Sequence, residues 1–309
     1  MSIKTYILCP GQGAQHVGMG QDLASRFSAA RAVFDAASAT LGYDLAAICF
    51  NGPEEKLNRT DVSQPAIYAT SVASFEAAKQ AGLIDLACVT ALAGLSLGEY
   101  TALHLGGAFG FAEGLRLVAA RGKYMQEAAV ATPSGMVAII GADDAVVSEL
   151  CRGASEGEVL VPANYNAPGQ IVVSGSNAAC GRFANAASAA GYKAVPLVVA
   201  GAFHSPLMQS GADKMAVELA NTPTSFPQMP VYSNVTATPH ADATSIKRFL
   251  VDQIVKPVRW EQTMQSLLAA GEARFVELGP GRVLTGLLRK INRRLVIDNY
   301  ATADSILAA

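Results

Sequence analysis

The sequence predicts an α/β protein in which a small domain interrupts a larger one, and two observations predict it. Strand-like and helix-like segments alternate along the 309 residues, which is typical of α/β folds. Between residues 131 and 199 the segments follow the order βαββαβ, the ferredoxin-like arrangement. We therefore divide the chain into a discontinuous large domain, residues 1–130 and 200–309, and a ferredoxin-like small domain, residues 131–199.

The large domain begins with a short buried strand at residues 6–9, which ends at Pro10-Gly11-Gln12-Gly13. A second buried strand is predicted at residues 86–93. Helical spacing of apolar residues predicts helices at 22–41, 65–81, 97–106 and 111–128. After the small domain, residues 274–278 form a strand that Gly279-Pro280-Gly281 breaks, and a helix follows through Arg289.

Six short segments give the predicted small domain its βαββαβ order. Strands are predicted at residues 136–140, 159–163, 170–174 and 193–199, with helices at 142–151 and 177–190.

Composition excludes several classes of protein. The balance of 23 basic and 25 acidic residues argues against nucleic acid as a partner. No apolar run approaches the ~18 residues of a membrane span, and the N-terminus lacks a signal-peptide pattern. Five scattered cysteines indicate free thiols in a reducing cytosol, and the four histidines lack metal-ligand spacing. We expect a cytoplasmic protein without metal or membrane.

The segment Gly94-Leu95-Ser96-Leu97-Gly98 matches the pattern G-x-S-x-G. Chance produces this pattern in about one chain in ten of this length, so its context matters. An apolar strand precedes it and a helical segment follows, as at a sharp turn that exposes a nucleophilic serine. The alternative is a serine that merely caps a helix between two packing glycines.

The loop Gly11-Gln12-Gly13 follows the first strand but does not indicate a nucleotide site. A dinucleotide fingerprint would need glycine where His16 stands, and there is no GK[ST] sequence for a P-loop. Open α/β sheets place ligands at the carboxyl ends of their strands. The backbone N–H of Gln12 is therefore a candidate oxyanion donor, and an ordinary tight turn is the alternative.

Two further residues are candidates for chemistry. A serine needs a base at neutral pH, and His204 stands in a loop between a predicted strand and a helix; an exposed turn histidine is the alternative. No aspartate stands out to orient His204, so a backbone carbonyl that accepts from its ring is plausible.

Arg121 interrupts an apolar helical stripe, and its guanidinium suits a carboxylate ligand, although a structural salt bridge is also possible.

Taken in order, six motifs resemble those of the malonyl-CoA:acyl carrier protein transacylases and of polyketide synthase acyltransferase domains. The resemblance covers residues 5–290. The motifs are Pro10-Gly11-Gln12-Gly13, Gly94-Leu95-Ser96-Leu97-Gly98-Glu99-Tyr100, Arg121-Gly122-Lys123-Tyr124-Met125-Gln126, Asn164-Tyr165-Asn166-Ala167-Pro168-Gly169-Gln170, Gly201-Ala202-Phe203-His204-Ser205 and Glu277-Leu278-Gly279-Pro280-Gly281.

The resemblance implies an α/β-hydrolase-like catalytic domain with a ferredoxin-like insertion. It makes Ser96 the acylated nucleophile and His204 its general base and acid. The backbone N–H groups of Gln12 and Leu97 become the oxyanion hole, and the backbone carbonyl of Gln253 holds the second nitrogen of His204.

It also implies how the acyl group is chosen. Arg121 would bind the free malonyl carboxylate, Asn166 would line the cleft near the thioester arm, and Phe203 matches the loop that accompanies malonyl rather than methylmalonyl units. Leu95 departs from the family, which commonly has histidine there. Stand-alone polyketide acyltransferases often share this Gly-Leu-Ser-Leu-Gly form, so fatty acid and polyketide synthesis both stay open.

The implied activity is ping-pong transfer of malonyl from malonyl-CoA to the phosphopantetheine thiol of acyl carrier protein, a transient partner, without a cofactor. We expect a monomer, because all the chemistry lies in one chain. An acyl-thioester hydrolase would share Ser96 and His204 but would not need Arg121. A silent carrier-protein docking module would lack the nucleophile or the base.

Overall fold

The computed structural model describes residues 4–309 and places its eight strands in two separate four-stranded sheets. One sheet has the order β2-β1-β7-β8 and the other has the order β4-β5-β3-β6. The strands are β1 (Lys4–Cys9), β2 (Val89–Gly94), β3 (Ser134–Ile140), β4 (Leu160–Ala167), β5 (Gln170–Ser176), β6 (Lys193–Pro196), β7 (Ala273–Leu278) and β8 (Ile297–Tyr300).

Fourteen α-helices connect and cover the sheets in the described part of the chain. They are α1 (Gln21–Arg26), α2 (Ser28–Leu41), α3 (Leu45–Asn51), α4 (Glu54–Leu57), α5 (Thr60–Gln80), α6 (Gly98–Leu105), α7 (Phe111–Ala131), α8 (Asp144–Ser155), α9 (Asn177–Ala189), α10 (Gln209–Asn221), α11 (Ala243–Val255), α12 (Trp260–Ala269), α13 (Val283–Ile291) and α14 (Ala303–Leu307). Short 3₁₀ turns lie at Leu86–Cys88 and Pro206–Met208.

The first sheet is parallel, and its central strand β1 pairs with β2 on one side and β7 on the other. In this register Cys9 lies opposite Gly94, so the loops that follow β1 and β2 leave the same edge of the sheet. Parallel strands buried on both faces consist of continuous apolar runs, and Ile7 and Leu8 are fully buried. The carboxyl edge of this sheet is where an α/β fold places a ligand.

The second sheet is antiparallel throughout and is formed by residues 134–196. Helices α8 and α9 cover one face of it, and Val147 and Phe183 pack with strand residues in a core separate from that of the first sheet. The opposite face packs into the core around the first sheet through Met136, Ala163 and Val172. There the Ser174 hydroxyl donates to the backbone carbonyl of Phe203 at 2.6 Å. This bond ties the second sheet to the loop that carries His204.

Most predicted elements are present, but several boundaries were wrong, and four of them have a clear local description. The helix predicted at 22–41 is two helices, because Phe27 is extended and buried between them. Residues 86–88 form a 3₁₀ turn, since the Asp85 side chain accepts from the N–H of Ala87. Helix α5 begins five residues before Pro65, and the strand predicted at 193–199 ends at Pro196.

Several elements were not predicted from the sequence, among them α3, α11, α12 and β8. All five cysteines are free thiols, and only Cys88 is exposed. Among residues 4–309, no helix combines the length and the apolar character needed to cross a membrane.

Candidate active site

Ser96 lies in the turn between β2 and α6, in a left-handed backbone conformation with φ of 52°. The turn is tight enough that only glycine fits on either side of it. A Cβ atom at Gly94 would lie 1.9 Å from the backbone of Gly98, and one at Gly98 would lie 2.1 Å from the carbonyl oxygen of Cys9. The two glycines of G-x-S-x-G are therefore steric requirements of a nucleophile elbow, and helix-capping alone does not explain them.

Asn234 holds this elbow from behind. Its side-chain oxygen accepts from the Ser96 N–H at 2.6 Å, and its side-chain amide donates to the carbonyl of Gly94 at 2.7 Å. Residues in the left-handed region cost energy unless the surroundings stabilise them. Asn234 therefore stabilises the turn by supplying an acceptor for the Ser96 N–H and a donor for the Gly94 carbonyl.

His204 forms a pair with Ser96, since its Nε2 lies 2.9 Å from the Ser96 Oγ. Its Nδ1 lies 2.6 Å from the backbone carbonyl oxygen of Gln253. A carbonyl oxygen only accepts, so Nδ1 carries the proton and Nε2 is free to accept the serine proton. The imidazole is therefore held in the tautomer of a general base, with a backbone carbonyl in the place where many serine enzymes have a carboxylate.

Burial and, to a lesser extent, the nearby positive charge of Arg121 lower the pKa of His204, and the Gln253 bond opposes both; the resulting pKa is about 3. His204 is only 4% exposed, which rules out the exposed turn histidine. The imidazole is consequently neutral at physiological pH and able to act as a base.

Arg121 is almost fully buried, at 1% exposure, and its guanidinium points at the Ser96 hydroxyl. Its Nη1 donates to the Gln64 side-chain oxygen at 2.8 Å, and its Nη2 donates to the Gln253 side-chain oxygen at 2.8 Å and to the Ser96 Oγ at 3.0 Å. The guanidinium also lies 5.6 Å from the centre of the Tyr100 ring.

No carboxylate pairs directly with Arg121 among residues 4–309, so a structural salt bridge does not explain it. Its Nε has no hydrogen-bond partner there either. Burial lowers the pKa of Arg121, and Tyr100 and Glu99 oppose that shift. A buried cation with spare donors beside the Ser96 hydroxyl is suited to an anionic ligand.

Behind Ser96, Glu99 is fully buried in the first turn of α6. Its Oε1 accepts from His240 Nε2 at 2.9 Å. Its Oε2 accepts from the backbone N–H of Asn234 at 3.0 Å and from the side-chain amide of Gln253 at 2.6 Å. The same Gln253 amide donates to the carbonyl of Ser96 at 3.0 Å.

Ser96, His204 and Arg121 open into a cleft of about 600 Å³ between the two sheets. Three other predicted site residues, Gln12, Asn166 and Phe203, also line this cleft. Leu97 and Gln253 do not line it. Leu97 offers only a backbone N–H, whereas Gln253 bonds His204 through its backbone carbonyl and Arg121 through its side chain. Within residues 4–309, no cluster of three or more His, Cys, Asp or Glu side chains could hold a metal ion.

The backbone N–H groups of Gln12 and Leu97 have no protein acceptor in the described part of the chain. Gly11 brings the two loops into contact, because a Cβ atom there would lie 2.3 Å from the carbonyl oxygen of Leu95. Leu97 directly precedes α6, so its N–H belongs to the unpaired donors of a helix N-terminus. These two donors are available for an oxyanion.

Gln64, Glu99 and Asn234 are site residues that the sequence analysis missed. Glu99 stands within a quoted motif, so its position next to the elbow was available as a signal. Gln64 and Asn234 lie 57 residues from Arg121 and 138 residues from Ser96, and no local pattern connects them to the site.

Comparison with known proteins gives consistent similarities. Residues 5–305 match the family described as acyl transferase domain. The malonyl CoA-acyl carrier protein transacylase of Escherichia coli strain K12 is 44% identical over 97% of this chain and 96% of that protein. The polyketide biosynthesis protein ThaF of Burkholderia thailandensis is 40% identical over 92% of this chain but only 24% of its own length.

Solved structures of malonyl transacylases also resemble this chain over nearly its whole length. The malonyl CoA-acyl carrier protein transacylase of Coxiella burnetii superposes with a TM-score of 0.95 at 37% identity, over 100% of this chain and 98% of that one. A type II polyketide synthase malonyl-transacylase, solved in complex with its acyl carrier protein, gives a TM-score of 0.93 at 40% identity, over 99% and 98% of the two chains.

Proposed function

The chain belongs to the acyl transferase domain family, and on that premise we propose that it transfers malonyl from malonyl-CoA to the phosphopantetheine thiol of acyl carrier protein. One observation carries the proposal. The Arg121 guanidinium donates to the same Ser96 oxygen that His204 Nε2 contacts at 2.9 Å. The nucleophile Ser96, its base His204 and the cation Arg121, which would bind the free carboxylate of malonyl, therefore meet at one point.

The first half of the reaction forms a malonyl-Ser96 ester. Ser96 Oγ attacks the thioester carbonyl carbon while His204 Nε2 takes its proton, and the N–H groups of Gln12 and Leu97 stabilise the oxyanion. When the C–S bond breaks, His204 returns the proton to the departing coenzyme A thiolate. Each oxyanion donor contributes on the order of 3 kcal/mol and the base roughly 10²–10⁴-fold in rate.

The second half runs in the opposite direction with a different thiol. His204 takes the proton of the phosphopantetheine thiol as its sulfur attacks the malonyl ester. The bond to Ser96 Oγ then breaks, and His204 protonates that oxygen. The free enzyme is regenerated, and no metal or redox cofactor enters either half.

Arg121 gives the site its preference for a diacid. The malonyl carboxylate would take up the guanidinium donors that face Ser96 in the free site. An acetyl group would leave a buried cation without an anion, which costs far more than a lost methylene contact. Asn166 and Phe203, which line the cleft, would contact the thioester arm and the acyl group.

We infer the finer architecture in the same way. The antiparallel order β4-β5-β3-β6 with two helices on one face supports a ferredoxin-like insertion at residues 131–199. The parallel sheet with its serine elbow supports an α/β-hydrolase-like catalytic domain over residues 1–130 and 200–309. We further propose a cytoplasmic monomer that meets the carrier protein transiently, in fatty acid or polyketide synthesis.

Intact-protein mass spectrometry after brief exposure to malonyl-CoA tests the proposal. We expect a malonyl adduct on the wild type, none on Ser96→Ala, and discharge of the adduct when holo acyl carrier protein is added. Arg121→Ala should lose malonyl loading and gain acetyl loading from acetyl-CoA. Arg116→Ala, which changes an exposed arginine on the same helix, should load malonyl normally.

Two outcomes would contradict the proposal. An adduct that decays into water without carrier protein would identify a thioester hydrolase with the same Ser96 and His204. Equal loading of acetyl and malonyl by the wild type would remove the role given to Arg121.

A further inference from the structure

A fully buried glutamate outside the reacting pair lies at the centre of the hydrogen bonds that support the site. Glu99 accepts from three donors, namely His240 Nε2, the Asn234 N–H and the Gln253 side-chain amide. Its side chain and that of His240 are both fully inaccessible to solvent. A buried carboxylate is tolerated only when its oxygens are hydrogen-bonded, and these three donors meet that requirement.

The Gln253 side chain connects this glutamate to the arginine. Its amide nitrogen donates to Glu99 Oε2 at 2.6 Å and to the Ser96 carbonyl at 3.0 Å, while its amide oxygen accepts from Arg121 at 2.8 Å. An ionised carboxylate only accepts and a guanidinium only donates. Placed between them, the amide has one favourable orientation, with its oxygen toward Arg121.

We propose that Glu99, held by His240, is a positioning residue that fixes the Arg121 guanidinium through the Gln253 amide and so sets the preference for a carboxylate-bearing acyl group. The inference rests on the proposed function. It deepens that function by extending the determinants of the malonyl site to two side chains that do not touch the cleft.

The two roles of Gln253 separate this proposal from a merely structural one. His204 is held by the backbone carbonyl of Gln253, within helix α11, whereas Arg121 is held by its side chain. A change at Glu99 that reorients only the side chain should therefore disturb Arg121 and leave the Ser96–His204 pair intact. General damage to the elbow would disturb both.

Glu99→Gln tests this separation, because it removes the negative charge: the glutamine oxygen can still accept from Asn234 and Gln253, but both bonds lose their charge assistance. Two reactions are measured on each protein, malonyl loading from malonyl-CoA and acetylation of Ser96 by the neutral ester p-nitrophenyl acetate. We expect kcat/KM for malonyl-CoA to fall roughly 10- to 100-fold, mostly through an increase in KM, because the variant loses a charge-assisted contact network. Acetylation by the neutral ester should change less than about threefold, since Asn234 keeps its side-chain bonds to Ser96 and Gly94 and the Gln253 backbone carbonyl keeps its bond to His204.

Controls distinguish the possible failures. Glu149→Gln, on the exposed face of α8, should match the wild type in both reactions, and Glu99→Asp should recover part of the malonyl rate. If the wild type itself does not load malonyl, the proposed function fails. If the wild type loads malonyl and Glu99→Gln slows both reactions equally, or slows neither of them, only the positioning role of Glu99 is overturned.

A second variant applies if Glu99→Gln does not fold. His240→Asn removes the donor at Glu99 Oε1 and leaves the carboxylate in place, so we expect the same split between the two reactions with a smaller factor. Equal losses in both reactions, or no loss, would overturn the proposal here as well.

Discussion

Removing the positive charge of Arg121 should make His204 a stronger base. The guanidinium donates to Ser96 Oγ at 3.0 Å, and that oxygen lies 2.9 Å from His204 Nε2, so the charge and the imidazole are within about 6 Å of each other. At an effective dielectric constant of about 20, two charges at that separation repel by roughly 3 kcal/mol, or about two pKa units. The variant Arg121→Ala should raise the pKa of His204 by about that amount.

The direction of the pH effect follows from the neutral imidazole being the active form. In the wild type, where the pKa of His204 is about 3, the base stays neutral down to about pH 4. Activity toward a neutral ester should therefore be flat between about pH 4 and 8. In Arg121→Ala the imidazole becomes protonated near pH 5, and activity should fall below that value.

Acetylation of Ser96 by p-nitrophenyl acetate is the suitable assay, because its acyl group does not interact with Arg121 as a carboxylate would. Values of kcat/KM across the pH range report the free enzyme. Arg116→Ala, which removes an exposed charge from the same helix, should give the wild-type profile. If the Arg121→Ala profile superposes on that of the wild type, the guanidinium does not depress the basicity of His204.

Two further predictions concern the supports of the site. Gly98→Ala should destabilise the fold by more than about 3 kcal/mol in denaturant unfolding, because its methyl group would lie 2.1 Å from the Cys9 carbonyl oxygen. The control Gly153→Ala lies in the interior of α8, where a Cβ atom would meet nothing within 4 Å, and it should stabilise the fold by about 0.5–1 kcal/mol. Equal effects of the two changes would show that the contact with Cys9 does not decide the result. Ser174→Ala should cost about 1–3 kcal/mol, because it leaves the buried Phe203 carbonyl without its donor at 2.6 Å. An unfolding curve identical to that of the wild type would show that this bond does not tie the two sheets together.

The sequence indicated the general fold well because its signals are local. The apolar strand before Gly94 and the glycines around Ser96 belong to a few consecutive residues, and the observed turn needs both glycines for steric reasons. The predicted order of the small domain likewise depends on short segments with clear periodicity. The boundary at Phe27 was missed because a single extended residue inside a helical pattern leaves that pattern nearly unchanged.

The supports of the site were harder to predict because tertiary packing creates them. Asn234 reaches Ser96 across 138 residues, and Gln64 reaches Arg121 across 57 residues. Nothing near either residue in sequence marks it as buried or paired. Gln253 entered only through the resemblance to a known family, which suggested its backbone carbonyl but not the contacts of its side chain with Arg121 and Glu99.

The strand order β2-β1-β7-β8 also has a consequence for how the chain folds as it is synthesised. The central strand β1 obtains its second neighbour only when β7 emerges, roughly 180 residues after β2 ends. At typical rates of translation of about 5–20 residues per second, that interval lasts roughly 10–35 s. The antiparallel sheet formed by residues 134–196 is complete well within that interval, whereas one edge of β1 stays unpaired on the ribosome. Because an unpaired strand edge can pair with another chain, we expect this interval to be the time at which the protein is most exposed to aggregation.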